Sequence, residues 1–174
     1  MAKVSFTKLG LKVNSEVKNI TFGDQVIEIK QYLPVNEKLE LISTILNNSI
    51  DEMKFYNVGK INIYMTLELI YAYTNINFTD KQKEDVCKLY DIIVSSGLYE
   101  MILKEIPQSE YEYIYDTVLE TIDSIYAYNN SVMGILDNIS ADYSALDLDA
   151  TAIQNKIADP ESLALLKGVL SQLG

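Results

Sequence analysis

The sequence contains no histidine and no tryptophan, and lysine supplies all 14 of its basic residues, so arginine is missing as well. Cysteine occurs once, at Cys87. Each absence removes a class of chemistry. Without histidine there is no His-dependent nucleophilic triad and no His-containing zinc site. A single thiol can neither close an internal disulfide nor complete a thiolate cage. Without arginine there is no bidentate guanidinium fork for phosphate or carboxylate. Lysine remains available for phosphate, but no glycine-rich phosphate-binding run accompanies it. The expectation is a protein with no catalytic residue, no cofactor, no metal site and no small-molecule substrate.

Positive charge is scarce too. Fourteen lysines face 25 acids, a net charge of −11 and a pI near 4.4. Such a balance opposes nucleic acid and anionic lipid as partners. The charge is also segregated: residues 1–50 hold six lysines and five acids, residues 51–174 eight lysines and twenty acids. The acids Asp116, Glu120, Asp123 and Asp137 fall opposite the apolar positions of one long helical pattern, giving either a solvated face or a surface for a basic partner. Long hydrophobic runs are missing as well. The most apolar stretch, Ile61 to Phe78, carries Asn62, Thr66, Glu68, Thr74, Asn75 and Asn77, too polar to span a bilayer. Met1 to Phe6 lacks a signal-peptide core, and with one thiol the expected compartment is a reducing cytoplasm.

What is present is enough to fold. The chain is 48% hydrophobic and 22% charged over 174 residues, a globular composition. Residues 1–33 read as β: Val4 and Phe6 alternate with polar neighbours, and Ile20 to Ile29 alternates around Gly23-Asp24, a two-residue hairpin turn. Residues 34–140 read as a helical bundle. Asn36 is the expected cap of a helix bearing Leu39, Ile42 and Leu46. The segment from Lys60 alternates like a strand at Ile61, Ile63, Met65, Leu67 and Leu69. Its length and its Leu, Met and Glu content favour a nearly buried helix. Thr79-Asp80-Lys81-Gln82 matches a capping box before a stripe of Val86, Leu89, Tyr90 and Ile93, with Cys87 expected as a small core residue. Ser109 to Glu112 is a second capping-box match, and Glu110 and Glu112 show no mark of burial.

From about 109 to 140 the spacing predicts one long helix. Tyr115, Val118, Ile122, Ile125, Asn129, Val132, Leu136 and Ile139 form a heptad-like seam with Asn129 at an a-type position. Its flanks are apolar, which favours a bundle core over a two-stranded coil. Residues 141–174 read as an acidic linker, whose Asp142, Asp147 and Asp149 fail the calcium-loop spacing, and amphipathic C-terminal helices bearing Leu163, Leu166 and Leu170. The fold class expected is therefore mainly α with a small N-terminal β element, α+β. The candidate interaction residues are Tyr113, Asn129, Leu163, Leu166 and Leu170.

The runs Ile29-Lys30-Gln31-Tyr32-Leu33-Pro34-Val35-Asn36-Glu37-Lys38 and Leu67-Glu68-Leu69-Ile70-Tyr71-Ala72-Tyr73-Thr74-Asn75 resemble small proteins of tailed-phage structural gene clusters. With a β element ahead of an acidic helical body, the layout of most of the chain is similar to the phage tail assembly chaperones. That resemblance implies a non-enzymatic protein of the host bacterial cytoplasm that binds the tape-measure protein and brings tail-tube subunits to it. Its partners would be other phage structural proteins or further copies of itself. Two alternatives stand beside it: a structural virion component, capsid-associated or at the head–tail connection, and a small acidic phage protein that binds a host protein.

Overall fold

In the computed structural model, which describes residues 3–51 and 55–136, the first regular pairing is the hairpin of β1 (Val17–Phe22) and β2 (Gln25–Lys30). The strands are antiparallel, in a register that sets Ile20 against Ile27 and Phe22 against Gln25. Gly23 takes a φ of 60°, the positive value a tight hairpin turn needs and glycine adopts without a Cβ clash. Ile27 and Ile29 are buried while Val26, Glu28 and Lys30 are exposed, the period-two pattern of a sheet with one wet face. A two-stranded ribbon is marginal alone, and the chain covers the outer edge of β2. Ile29 bridges to Thr74, and the Glu28 amide donates to Asn75 Oδ1 at 3.1 Å.

Among the described residues, five helices and most of a sixth complete the body of the first unit, residues 1–122; residues 123–174 form a second. α1 (Val35–Asn48) buries Lys38, Leu41, Ile42, Ile45 and Leu46. It starts one residue before the expected cap. The Lys38 amide donates to the Pro34 carbonyl at 3.1 Å, which places Asn36 inside the helix, and Leu39 faces solvent. α2 (Val58–Tyr73) is capped by Asn57 Oδ1 on the Lys60 amide. It resolves the strand-or-helix ambiguity as a helix buried on several sides, with Leu69, Ile70 and Tyr73 fully enclosed. Alternation at Ile61 to Leu69 came from burial all round, not from a pleat.

The Thr79–Gln82 capping box forms as expected, but the helix after it is interrupted. α3 (Asp80–Lys83) ends, Asp85 leaves helical geometry at φ −123°, and its Oδ1 caps α4 (Val86–Ser95) at the Lys88 amide. On α4 only Leu89 and Ile93 are buried; Val86 and Tyr90 are half-buried. Cys87 is exposed, not core, because two residues from Leu89 is about 200° around a helix. Gly97, at φ 76°, turns the chain into α5 (Leu98–Glu105). Ile106 is extended, as a residue before proline must be.

α6 (Gln108–Asn129) is shorter than the expected helix of 109–140. It buries Glu110, Ile114, Val118 and Ile122, a face stepping strictly by four, so Tyr115 is exposed and the heptad seam does not form. Asn129 ends the helix in solvent instead of occupying a core position. The chain turns at Asn130–Ser131, and residues 132–136 are helical again with Val132 and Leu136 exposed. Ser131 Oγ accepts from the Gly134 amide at 3.1 Å, a cap that favours restarting a helix over continuing one. The N-terminal alternation at Val4 and Phe6 likewise gives no strand. Phe6–Leu9 is a single 3₁₀ turn without buried residues, since alternation supplies a face but no ladder partner. Among the described residues no helix is long and apolar enough to cross a membrane.

Candidate protein-binding surface

The orientation of α6 is set by a buried ionic knot at its first turn. Lys38, on the inner face of α1, places Nζ 2.6 Å from Glu110 Oε1. Glu110 Oε2 accepts from the Leu33 amide and from the Tyr73 hydroxyl, each at 3.0 Å. Lys38 Nζ also lies 4.5 Å from the ring centroid of Tyr32 and 5.1 Å from that of Tyr113, close enough for cation–π attraction. Both charges are nearly enclosed, with the two side chains 9% and 10% exposed. An enclosed ion pair is tolerated when its remaining hydrogen-bonding positions are filled, and here both carboxylate oxygens are. Burial, then the charge of Glu110, pushes the Tyr73 hydroxyl far above its ordinary value, so it stays a donor.

This knot was not expected from the sequence, where Glu110 carried no mark of burial. A signal existed. Lys38 shares its helical face with Leu41, Ile42 and Ile45, and Glu110 shares its face with Ile114, Val118 and Ile122, so each charge sits on an otherwise apolar stripe. Lysine and glutamate are rarely enclosed unless paired, and two such misfits imply each other.

With Glu110 held inward, the opposite face of α6 is presented to solvent. Glu112, Asp116 and Glu120 recur every four residues there, about 6 Å apart along the axis. Tyr113, Tyr115 and Leu119 lie exposed beside them. Tyr111 and Tyr115 stack with centroids 5.8 Å apart and planes at 17°, and burial raises the Tyr111 hydroxyl. The result is a row of carboxylates flanked by aromatic and apolar side chains, in which Glu112 Oε1 accepts from Gln108 Nε2 at 2.5 Å. Of the residues picked out in the sequence, Tyr113 is on this surface. Asn129 is exposed at the end of α6 in the second unit, and Leu163, Leu166 and Leu170 lie outside the described residues, as does the acidic linker.

A second feature of the first unit involves none of these α6 residues. The end of β2, α1, α2, α3 and the start of α4 enclose a groove of about 670 Å³. Leu41, Leu67 and Phe78 form part of its floor, and Glu37, Glu40 and Glu68 stand along it. Burial raises the Glu68 carboxyl above its usual range, with the charge of Lys83 pulling it back in part. Among the described residues no three His, Cys, Asp or Glu side chains are grouped to hold a metal ion.

No protein-family model, no curated protein and no solved structure matches this chain.

Proposed function

We propose that the protein is a non-enzymatic binding protein that recognises a helical, lysine-bearing partner through the outer face of α6, and that it serves as a tail assembly chaperone in phage morphogenesis. The observation that carries the binding reading is the row Glu112, Asp116 and Glu120 beside exposed Tyr113, Tyr115 and Leu119. A partner helix with lysines and apolar residues at matching spacing would bury the tyrosines and pair the carboxylates. The chaperone assignment adds the resemblance of the Ile29–Lys38 and Leu67–Asn75 runs and the acidic helical body. Its partner would then be the tape-measure protein, in the host cytoplasm.

The test is affinity capture of the tagged chain from cells expressing the gene cluster that encodes it, with mass spectrometry of both eluate and finished particles. A chaperone brings down the tape-measure protein and is missing from the particles. Stoichiometric presence in particles would replace this reading with that of a structural virion component. The carboxylate row also favours a second reading, a small acidic protein that occupies a basic host protein. That reading requires one host protein in the eluate, released by moderate salt. Charge reversal at Asp116 and Glu120 should abolish capture in either binding mode; unchanged capture would remove α6 from the argument.

A further inference from the structure

We infer that the N-terminal arm, residues 3–16, docks in the Glu40–Glu68 groove of a second copy of this chain. The arm carries a series of exposed apolar side chains. Val4, Phe6, Leu9, Leu11 and Val13 are all between 54% and 73% exposed, and a soluble chain gains nothing by leaving such a series in water. Leu9, Leu11 and Val13 alternate with Gly10 and Lys12, the pattern of a segment that lays one face on an apolar surface.

Charge identifies the receiving site. The arm carries Lys3, Lys8 and Lys12 against Glu16 alone, a cationic segment on a protein of net charge −11. The groove is lined by Glu37, Glu40 and Glu68 against Lys30 and Lys83, an excess of one acid, above an apolar floor. Lys30 is paired with Glu37 at 3.4 Å, while among the described residues no salt bridge reaches Glu40 or Glu68. Lys83 lies 5.1 Å from the Tyr71 ring centroid, and its charge offsets the burial of Glu68 only in part. Leu9, Leu11 and Val13 would cover exposed Tyr71 and half-buried Tyr64 and Val86 above that floor, and the long lysine stems would reach the carboxylates at the rim. An incoming ammonium would also compensate the Glu68 charge, which burial penalises.

The occupant is a neighbour's arm and not the chain's own. The arm leaves the hairpin beside Gln31, whose amide donates to the Glu16 carbonyl at 2.9 Å, and no arm residue lines the groove of its own chain. Fourteen residues extend to about 46 Å, ample to cross to a second molecule. This association needs only the arm and the groove, so it stands or falls independently of what α6 binds.

The experiment is sedimentation velocity on the full-length protein over a hundredfold concentration range, with three samples beside the wild type. One is Leu11→Asp in the arm, a second is Glu40→Lys with Glu68→Lys in the groove, and the third is an equimolar mixture of the two. Circular dichroism confirms that each variant is folded. The expected result is concentration-dependent self-association of the wild type, weakened at least tenfold in each variant alone. The mixture should recover association, since the groove variant keeps an intact arm and the arm variant an intact groove. A wild type that stays monomeric throughout would overturn the inference, as would a Leu11→Asp variant that associates like the wild type. A mixture no better than its components would also overturn it, because arm and groove would then not be each other's partners.

Discussion

Lys38 and Glu110 are 72 residues apart in sequence and meet at 2.6 Å, a junction that joins α1 to the first turn of α6. Through Oε2 the same carboxylate holds Leu33, at the exit of the hairpin, and Tyr73, at the end of α2. One side chain therefore ties four separate stretches of the first unit together. The outer face of α6 is presented where it is because the inner face begins with this knot.

Removing one partner should cost far more than removing both. Glu110→Ala strands the Lys38 ammonium and the Tyr73 hydroxyl in an apolar site, and a broken buried pair costs about 3–5 kcal/mol. Lys38→Met with Glu110→Leu leaves no orphaned charge and should recover much of that loss. Urea unfolding of the two single variants and the double variant measures the difference. Equal destabilisation by all three would show that the charges do not act as a pair.

Glu68 gives a pH signature. Its folded carboxyl is held above the ordinary value of 4.5 by burial, against the pull of Lys83. The folded state thus binds this proton more tightly than the unfolded chain does. The resulting stabilisation is complete below about pH 4.5 and is lost as the pH rises through the raised folded value. Glu68→Gln, which stays neutral, should therefore gain stability relative to the wild type at pH 7 and show no such gain at pH 4. Paired urea midpoints at the two pH values check the sign.

Tyr99 should titrate late. Its hydroxyl is pushed up to about 12, first by burial and then by Tyr111, with a hydrogen bond to Thr66 opposing the shift. A raised phenol stabilises the fold below its unfolded value near 10 and loses that contribution as the pH rises through about 12. Ultraviolet titration of tyrosinate in Tyr99→Phe should lack one late component, while the early components are unchanged.

In the second unit, Gly134 is the sensitive position. A Cβ there would run into the carbonyl oxygen of Tyr128 and crowd the Asn129 backbone. Gly134→Ala should open the turn after α6 at a cost of about 1–3 kcal/mol, the range for overpacking. Faster amide exchange at Gly134 and Ile135, whose amides donate to Ser131, is the expected readout. Unchanged exchange would mean that the turn relaxes without cost.

The elements legible in the sequence are those whose cause is local. Gly23 makes the hairpin turn because of its own φ, and Thr79 and Gln82 cap each other across three residues. α2 is a helix because its length and its leucines and methionine leave no strand-like alternative that persists. The α+β class follows from these alone, as does the acidic character of α6, where Asp116 and Glu120 are exposed as the pattern requires.

Tertiary structure decided the rest, because a residue's burial depends on which side of its element another element occupies. Tyr115 and Asn129 fit a heptad as well as Ile114 and Ile122 fit a step of four; only the neighbours facing α6 select the second. Cys87 is small and apolar, yet it points away from the face that Leu89 and Ile93 bury. Val4 and Phe6 alternate like a strand, but no strand lies beside them to complete the ladder. Lys38 and Glu110 each look misplaced on an apolar stripe until the fold brings them together. The sequence determined the hairpin turn, the helical state of α2 and the Thr79–Gln82 cap, since those depend on spacing and caps a few residues wide. Which charges are enclosed, and which face of α6 is left for a partner, depended on contacts between residues dozens of positions apart.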